Sequence, residues 1–181
     1  MSREGLGSGD RSTPSPFVLE HLGLAPPGPA LDVACGTGRH ALAIARTGQA
    51  VDAVDRSPEA CRALGRAAAV SGLPVRVVCA DVCTLRLPRG RYAAVIDTLY
   101  LERAVLPALA ASLVPSGVLL FETFVVEQLA TGHPRNPAYV LGPNELLGLL
   151  PGLRVLAFRE GPVERDGRIV YLASLAARAP A

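Results

Sequence analysis

The sequence predicts a single α/β domain, a doubly wound and mostly parallel seven-stranded sheet that finishes in an antiparallel edge hairpin. Three observations predict it. Short apolar runs alternate with helix-patterned segments from Ala30 onward, a glycine-rich turn follows the first run, and the last two runs are joined by Asp166-Gly167 with no helix between them. With 181 residues, 50% of them apolar, the chain has enough side chains for one sizeable core.

Residues 1–14, rich in Gly, Ser and Pro, read as a flexible tail, and the folded domain is placed at 15–181. Pro14 and Ser15 signal a short helix from Pro16 to Leu22, and the Ala25-Pro26-Pro27-Gly28-Pro29 run forbids its continuation. Ala30 to Ala34 is the first strand. A helix from Arg39 to Thr47 then turns Leu42, Ile44 and Ala45 toward the sheet, with Gly48 as its C-terminal cap. Ala50 to Val54 is the second strand. The capping hydroxyl of Ser57, first-turn Pro58 and early acid Glu59 set a helix from Pro58 to Val70. Val75 to Cys79 follows as the third strand, Tyr92 to Leu99 as the fourth, Leu101 to Leu113 as a helix and Gly117 to Phe124 as the fifth strand. A proline-rich connection, Gly132 to Gly142, leads to a helix near Asn144 to Leu150 and to strands from Leu153 to Arg159 and Arg168 to Ala176.

Composition narrows the function. Charged residues make up 19% of the chain and the net charge is +2, so no basic field of the kind that gathers nucleic acid is expected, and a small-molecule partner fits better. Every basic side chain is Arg and the 18 of them are scattered rather than clustered. Cys35, Cys61, Cys79 and Cys83 form no C-x-x-C pair and have no His at ligand spacing, which predicts no metal site and a reducing compartment. The chain has neither a secretory leader pattern nor an uninterrupted apolar stretch of about 20 residues, so a cytoplasmic protein outside the membrane is expected. Monomer and homodimer are equally compatible with these features.

Gly36-Thr37-Gly38-Arg39-His40-Ala41 satisfies G-x-G-x-x-G/A between a strand and a helix, the context in which that pattern binds a nucleotide-type ligand. The first glycine suits a tight turn, the second a close approach of backbone to ligand, and Ala41 close packing of helix on strand. Asp55, at the end of the second strand, stands where a carboxylate accepts hydrogen bonds from ribose hydroxyls. Asp32, in the first strand, separates two classes of ligand. A carboxylate there suits an ammonium and a sulfonium and repels the pyrophosphate of a dinucleotide.

On these residues the chain resembles the class I S-adenosylmethionine-dependent methyltransferases. Leu31-Asp32-Val33-Ala34-Cys35-Gly36-Thr37-Gly38 is similar to their first motif, Val54-Asp55-Arg56-Ser57 to their ribose turn, Ala80-Asp81-Val82 to the turn whose acid binds the adenine amino group, and Leu113-Val114-Pro115-Ser116-Gly117 to their L-x-P-G-G turn with Ser116 in place of a glycine. The resemblance runs from about Ala30 to Ala177. Within the family, Phe121-Glu122-Thr123-Phe124 and Pro134-Arg135-Asn136-Pro137-Ala138-Tyr139 are most similar to small bacterial methyltransferases of the tellurite-resistance type. The resemblance implies a Rossmann-like fold, S-adenosylmethionine as cofactor and a small-molecule acceptor such as a thiol, an oxyanion or a small metabolite. It implies cofactor contacts from Asp32, Ala34, Cys35, Gly36, Gly38, His40, Asp55, Arg56, Asp81, Val82, Asp97 and Thr98.

Asp97, Thr98, Leu99 and Tyr100 follow the fourth strand and are expected at the methionine end of that cofactor. Asp97 is the general-base candidate, or else a carboxylate that caps a helix or accepts backbone hydrogen bonds. Many relatives carry an Asn near Leu99, and this chain departs from them. Tyr100, Arg135, Asn136 and Tyr139 are expected to meet the acceptor, Arg135 favouring an anion. The competing reading is a crossover stiffened by Pro134, Pro137 and Pro143. His40 reads as a packing or hydrogen-bonding group near the cofactor, or a proton carrier; Cys35 as a space-filling side chain, or a thiol whose pKa the following helix lowers; Cys79 and Cys83 as core and surface thiols; Glu122 as a supporting or a solvated acid. Two other functions compete with methyl transfer. One is an NAD(P)-dependent oxidoreductase, whose common Tyr-x-x-x-Lys version the absence of Lys excludes, and the other is a module that binds the cofactor without chemistry.

Overall fold

Ala30, Leu31, Asp32 and Val33 are all buried, as a strand is when it has neighbours on both edges and helices over both faces. A computed structural model describes residues 13–165 and 167–181. The residues expected to form the flexible tail lie almost wholly outside the described ones. Strand β1 (Ala30–Val33) pairs in parallel with β2 (Val51–Asp55) and with β4 (Tyr92–Thr98); β2 pairs in parallel with β3 (Val75–Cys79), and β4 with β5 (Leu113–Phe124). Strands β6 (Arg154–Arg165) and β7 (Arg168–Arg178) form the antiparallel hairpin, and β7 joins it to β5. The strand order is β3-β2-β1-β4-β5-β7-β6, so the winding reverses between β1 and β4.

Period-2 alternation splits the core into two. Leu31, Val33, Val95, Leu119 and Phe121 face one side, with α4 (Leu106–Ala111) and α5 (Glu145–Leu149). Ala30, Ala94, Ile96, Val118 and Leu120 face the other, under α1 (Pro16–His21), α2 (Arg39–Ala45) and α3 (Pro58–Val70). Helix α3 forms over the expected span because Ser57 Oγ accepts the Ala60 N–H at 3.3 Å and Pro58 opens its first turn.

The expected spans change most at two places, while β5 starts at Leu113 and β7 runs on to Arg178. The helix expected at Leu101–Leu113 is shorter: Glu102 caps a 3-10 turn at Arg103–Val105, α4 stops at Ala111, and Leu113 already pairs with Tyr92. Strand β6 runs past Arg159 to Arg165 through Gly161 and Pro162, both strand breakers elsewhere. They are tolerated because β6 is the sheet edge, where a missing N–H on the outer side breaks no ladder. Arg165 pairs with Arg168 across the expected turn; Gly167 has φ +71°, and Asp166 lies outside the described residues.

The Leu113-Val114-Pro115-Ser116-Gly117 turn makes a bulge, since Tyr92 pairs with Leu113 but Ala94 with Val118. A Cβ on Gly117 would stand 2.9 Å from the Val114 carbonyl oxygen and 3.0 Å from that of Tyr92, both fixed backbone atoms. Ser116 adopts φ +61°, the left-handed conformation in which glycine is unstrained. Gly117→Ala is therefore expected to cost about 1–3 kcal/mol in urea denaturation. Ser116→Gly is expected to cost nothing measurable, and equal losses in the two variants would contradict this account of the bulge.

Candidate active site

The loop after β1 is built from backbone conformations that few side chains tolerate. Gly36 has φ +57°, Gly38 has φ +85° and caps α2, and Ala34 takes φ +48° although it is not glycine. Leu99, just after β4, takes φ +57°. Strained non-glycine residues thus end both strands that flank the reversal point, a pattern characteristic of binding sites. The loop is held from three sides: the Cys35 N–H donates to the Val54 carbonyl at 3.0 Å, the Gly36 N–H to Asp55 Oδ2 at 2.8 Å, and the Ala41 N–H to Asp32 Oδ2 at 2.9 Å. A Cβ on Gly36 would meet nothing within 4 Å, whereas one on Gly38 would fall 2.2 Å from Leu64 Cδ1. The packing of α3 and the positive φ by themselves already require a glycine at position 38.

Ala34, Val54, Asp55, Arg56, Asp81, Val82 and Tyr100 line a small open cleft at the carboxyl ends of the strands. Each Asp55 oxygen accepts one backbone N–H, Oδ2 from Gly36 and Oδ1 from Ser57 at 2.8 Å, so the carboxylate is oriented and each oxygen retains a lone pair. Asp81 Oδ1 accepts the Cys83 N–H at 2.9 Å, and the backbone and side chain of Cys83 hold this carboxyl below its ordinary range. Tyr100, expected at the acceptor, lines the same cleft as these acids, its hydroxyl 3.3 Å from Cys83 Sγ.

Asp32 and Asp97 are each 1% exposed. Burial pushes Asp32 up to about 7, against the opposing pull of the Ala41 N–H and of Arg39. Burial, and then the neighbouring Asp32, raises Asp97 well above a normal carboxyl. Asp97 Oδ1 has no hydrogen-bond partner among the described residues. Two carboxyls, one with an unsatisfied buried oxygen, suit the positive end of a ligand.

His40 is buried, and its Nε2 accepts the Ser15 N–H at 2.9 Å. The proton of the neutral ring therefore sits on Nδ1, which faces Thr98 Oγ1 at 3.4 Å. Burial, with Arg39 and Arg165 nearby, lowers its pKa to about 3, so it holds position and does not carry protons near neutrality. Burial, Asp32 and Asp55 raise the Cys35 thiol and outweigh the helix end expected to lower it, which favours the space-filling reading. Cys79, expected in the core, is exposed.

Arg135, Asn136 and Tyr139 are exposed and line no part of the cleft. Asn136 Oδ1 caps the 3-10 turn Pro137–Tyr139 through the Ala138 N–H at 2.9 Å. The connection is pinned by Arg103, which donates to Glu145 Oε1 at 2.5 Å and to the Ala138 and Val140 carbonyls. Glu122 is fully buried between Ser15, Ser174, Arg159 and Arg165, which answers its open assignment: it joins β5 and the hairpin to the start of α1. Sequence reasoning missed Arg103, Arg165 and Ser15, whose partners lie far along the chain; only the acid at Glu122 in an otherwise apolar strand signalled that a partner was needed.

Comparison with known proteins agrees with this geometry. Residues 30–117 match the model of a methyltransferase domain. No curated protein matches the chain. Among solved structures, one concerned with conversion of a disulfide bond into a thioacetal group during echinomycin biosynthesis is 25% identical, with TM-score 0.76, covering 94% of this chain and 84% of that one. TehB from Haemophilus influenzae is 17% identical, with TM-score 0.79, over 92% of this chain and 62% of TehB. The geranyl diphosphate C-methyltransferase of Streptomyces coelicolor A3(2), solved with Mg2+, geranyl diphosphate and S-adenosyl-L-homocysteine, is 19% identical, with TM-score 0.69, over 90% and 78%.

Raised carboxyls make stability depend on pH. A folded pKa of about 7 for Asp32, against 3.8 for a free aspartate, gives a contribution that is complete below 3.8 and lost as pH rises through 7; Asp97 acts in the same sense. His40 acts oppositely, its contribution present above 6.5 and lost as pH falls toward 3. Asp97→Asn removes one acid only, so its urea midpoint is expected to gain on the parent protein steadily from pH 5 to pH 8. A gap that stays constant with pH would sink the assignment.

Proposed function

We propose that this chain is a class I S-adenosylmethionine-dependent methyltransferase, and that it passes the cofactor's methyl group to a small-molecule acceptor by in-line displacement. The observation that carries the reading is the pair of buried carboxyls Asp32 and Asp97, the latter with an unsatisfied oxygen, at the carboxyl ends of β1 and β4. They match the ammonium of S-adenosylmethionine and would repel the pyrophosphate of a nicotinamide cofactor.

When bound, the cofactor supplies a methyl group already made electrophilic by its sulfonium. The protein's work is placement. Asp55 accepts the ribose hydroxyls, with Ala34 and Arg56 beside it. Asp81 accepts the adenine amino group, with Val82 and Tyr100 as walls. Gly36, which has open space around its Cα, gives the cofactor a flat floor. Asp97 takes the ammonium, and its place inside the end of the sheet makes it a holder of charge instead of a base that meets the acceptor. Thr98, fixed by His40, stands at the methionine end, and acceptor and methyl are brought into line there with water excluded. The bound geranyl diphosphate of the Streptomyces coelicolor relative supports a small acceptor in this fold.

Calorimetric titration tests the site. Asp55→Ala is expected to weaken S-adenosylmethionine binding by about 1.5–3 kcal/mol, the worth of charge-assisted hydrogen bonds. Asp81→Ala, whose side chain holds only a local turn, is expected to weaken it with no change in thermal stability. Binding of NADH in place of S-adenosylmethionine would overturn the reading. Release of S-adenosylhomocysteine with a panel of thiols, oxyanions and small nitrogen or oxygen nucleophiles identifies the acceptor, and a silent panel favours a binding module.

A further inference from the structure

Cys61 and Cys79 share a separate shallow surface depression with Pro58, Arg62 and Val77, where the start of α3 meets the end of β3. Both cysteines sit against one residue. The Cys61 Sγ–H donates to the Asp55 carbonyl at 3.3 Å, and Cys79 is the register partner of Asp55 in the β2–β3 pair. Cys61 is buried and Cys79 is exposed. Burial and the Cys79 side chain push the Cys61 thiol up to about 11, so it stays protonated while Cys79 faces solvent. Arg62 places a positive charge at the same opening.

We propose that Cys61 and Cys79 form a reversible disulfide by exchange with an anionic low-molecular-weight disulfide, and that this bond weakens cofactor binding. The coupling to the cofactor rests on the reading of Asp55 and Asp81 given above. In the first step the Cys79 thiolate attacks the small disulfide, forming a mixed disulfide and releasing one small thiol. Cys61 then gives up its proton and attacks the Cys79 sulfur, releasing the second small thiol. The two protein thiols lose two electrons and the small disulfide gains them. Closing the bond deletes the Cys61 S–H donor from the Asp55 carbonyl, which keeps the Ala80 N–H at 3.0 Å. It also ties the first turn of α3, just after Asp55, to the strand end that leads into Asp81, so both turns of the cofactor cleft are pulled together.

The test uses the full chain with Cys83→Ser, because trypsin leaves Cys79 and Cys83 on one peptide, residues 77–86. After treatment with oxidised glutathione the intact mass is expected to fall by about 2 Da, with peptide 57–62 linked to 77–86 under non-reducing conditions. The Kd for S-adenosylmethionine is expected to rise about fivefold or more, to recover with dithiothreitol, and to be unmoved by glutathione in Cys79→Ser. A glutathione adduct that persists on Cys79, a missing 57–62 link, or an unchanged Kd in linked protein each overturns the proposal. Reduced protein that binds no S-adenosylmethionine overturns the coupling together with the reading of the cofactor site, while the peptide link stands or falls on mass alone.

Discussion

The hydrogen bond from the Ala41 N–H to Asp32 Oδ2 fixes everything around it. A carboxyl inside a parallel strand is costly, and this one is retained because it reaches across to the first turn of α2 and sets where that helix starts. With the helix start fixed, the intervening loop has one path. Cys35 is drawn onto β2, the Gly36 N–H meets Asp55, and Gly38 is pressed onto Leu64 of α3. One buried acid thereby ties a strand, two helices and a turn into a single cradle.

The charge of the site follows from that cradle. Asp32 and Asp97 come from strands that neighbour one another only because the winding reverses between them, so their mutual repulsion is a product of topology. Buried without a counter-charge, each favours a proton; a cation beside either one favours its ionised form. The same burial that favours protonation makes a positively charged group the natural partner for these carboxyls.

Much of this was legible in the sequence because it is local. The Ser57-Pro58-Glu59 start, the glycine loop and the apolar run of β4 each lie within a few residues and obey rules of local conformation. Apolar runs of that kind mark all seven strands. The far side of the site was not legible. Glu122 meets Ser15, Ser174, Arg159 and Arg165, and Arg103 meets Glu145, across separations that no periodicity encodes. Gly161 and Pro162 look like the end of a strand until one knows that β6 is an edge. Tyr100 follows the right strand, but the left-handed turn at Leu99 precedes it and it lines the cleft beside Asp81 and Val82.

The anchoring of Ser15 also governs how the molecule can be handled. Its hydroxyl is held by Glu122 and its N–H by His40, whose other nitrogen faces Thr98. The chain therefore enters the fold at Ser15 beside Thr98, at the carboxyl end of β4. The other terminus is at the opposite end of the sheet, where the Ser116 N–H meets the Pro180 carbonyl and the Ala179 N–H meets the Gly117 carbonyl at the start of β5. A purification tag, fluorophore or surface tether belongs after Ala181, where it leaves the mouth of the site clear.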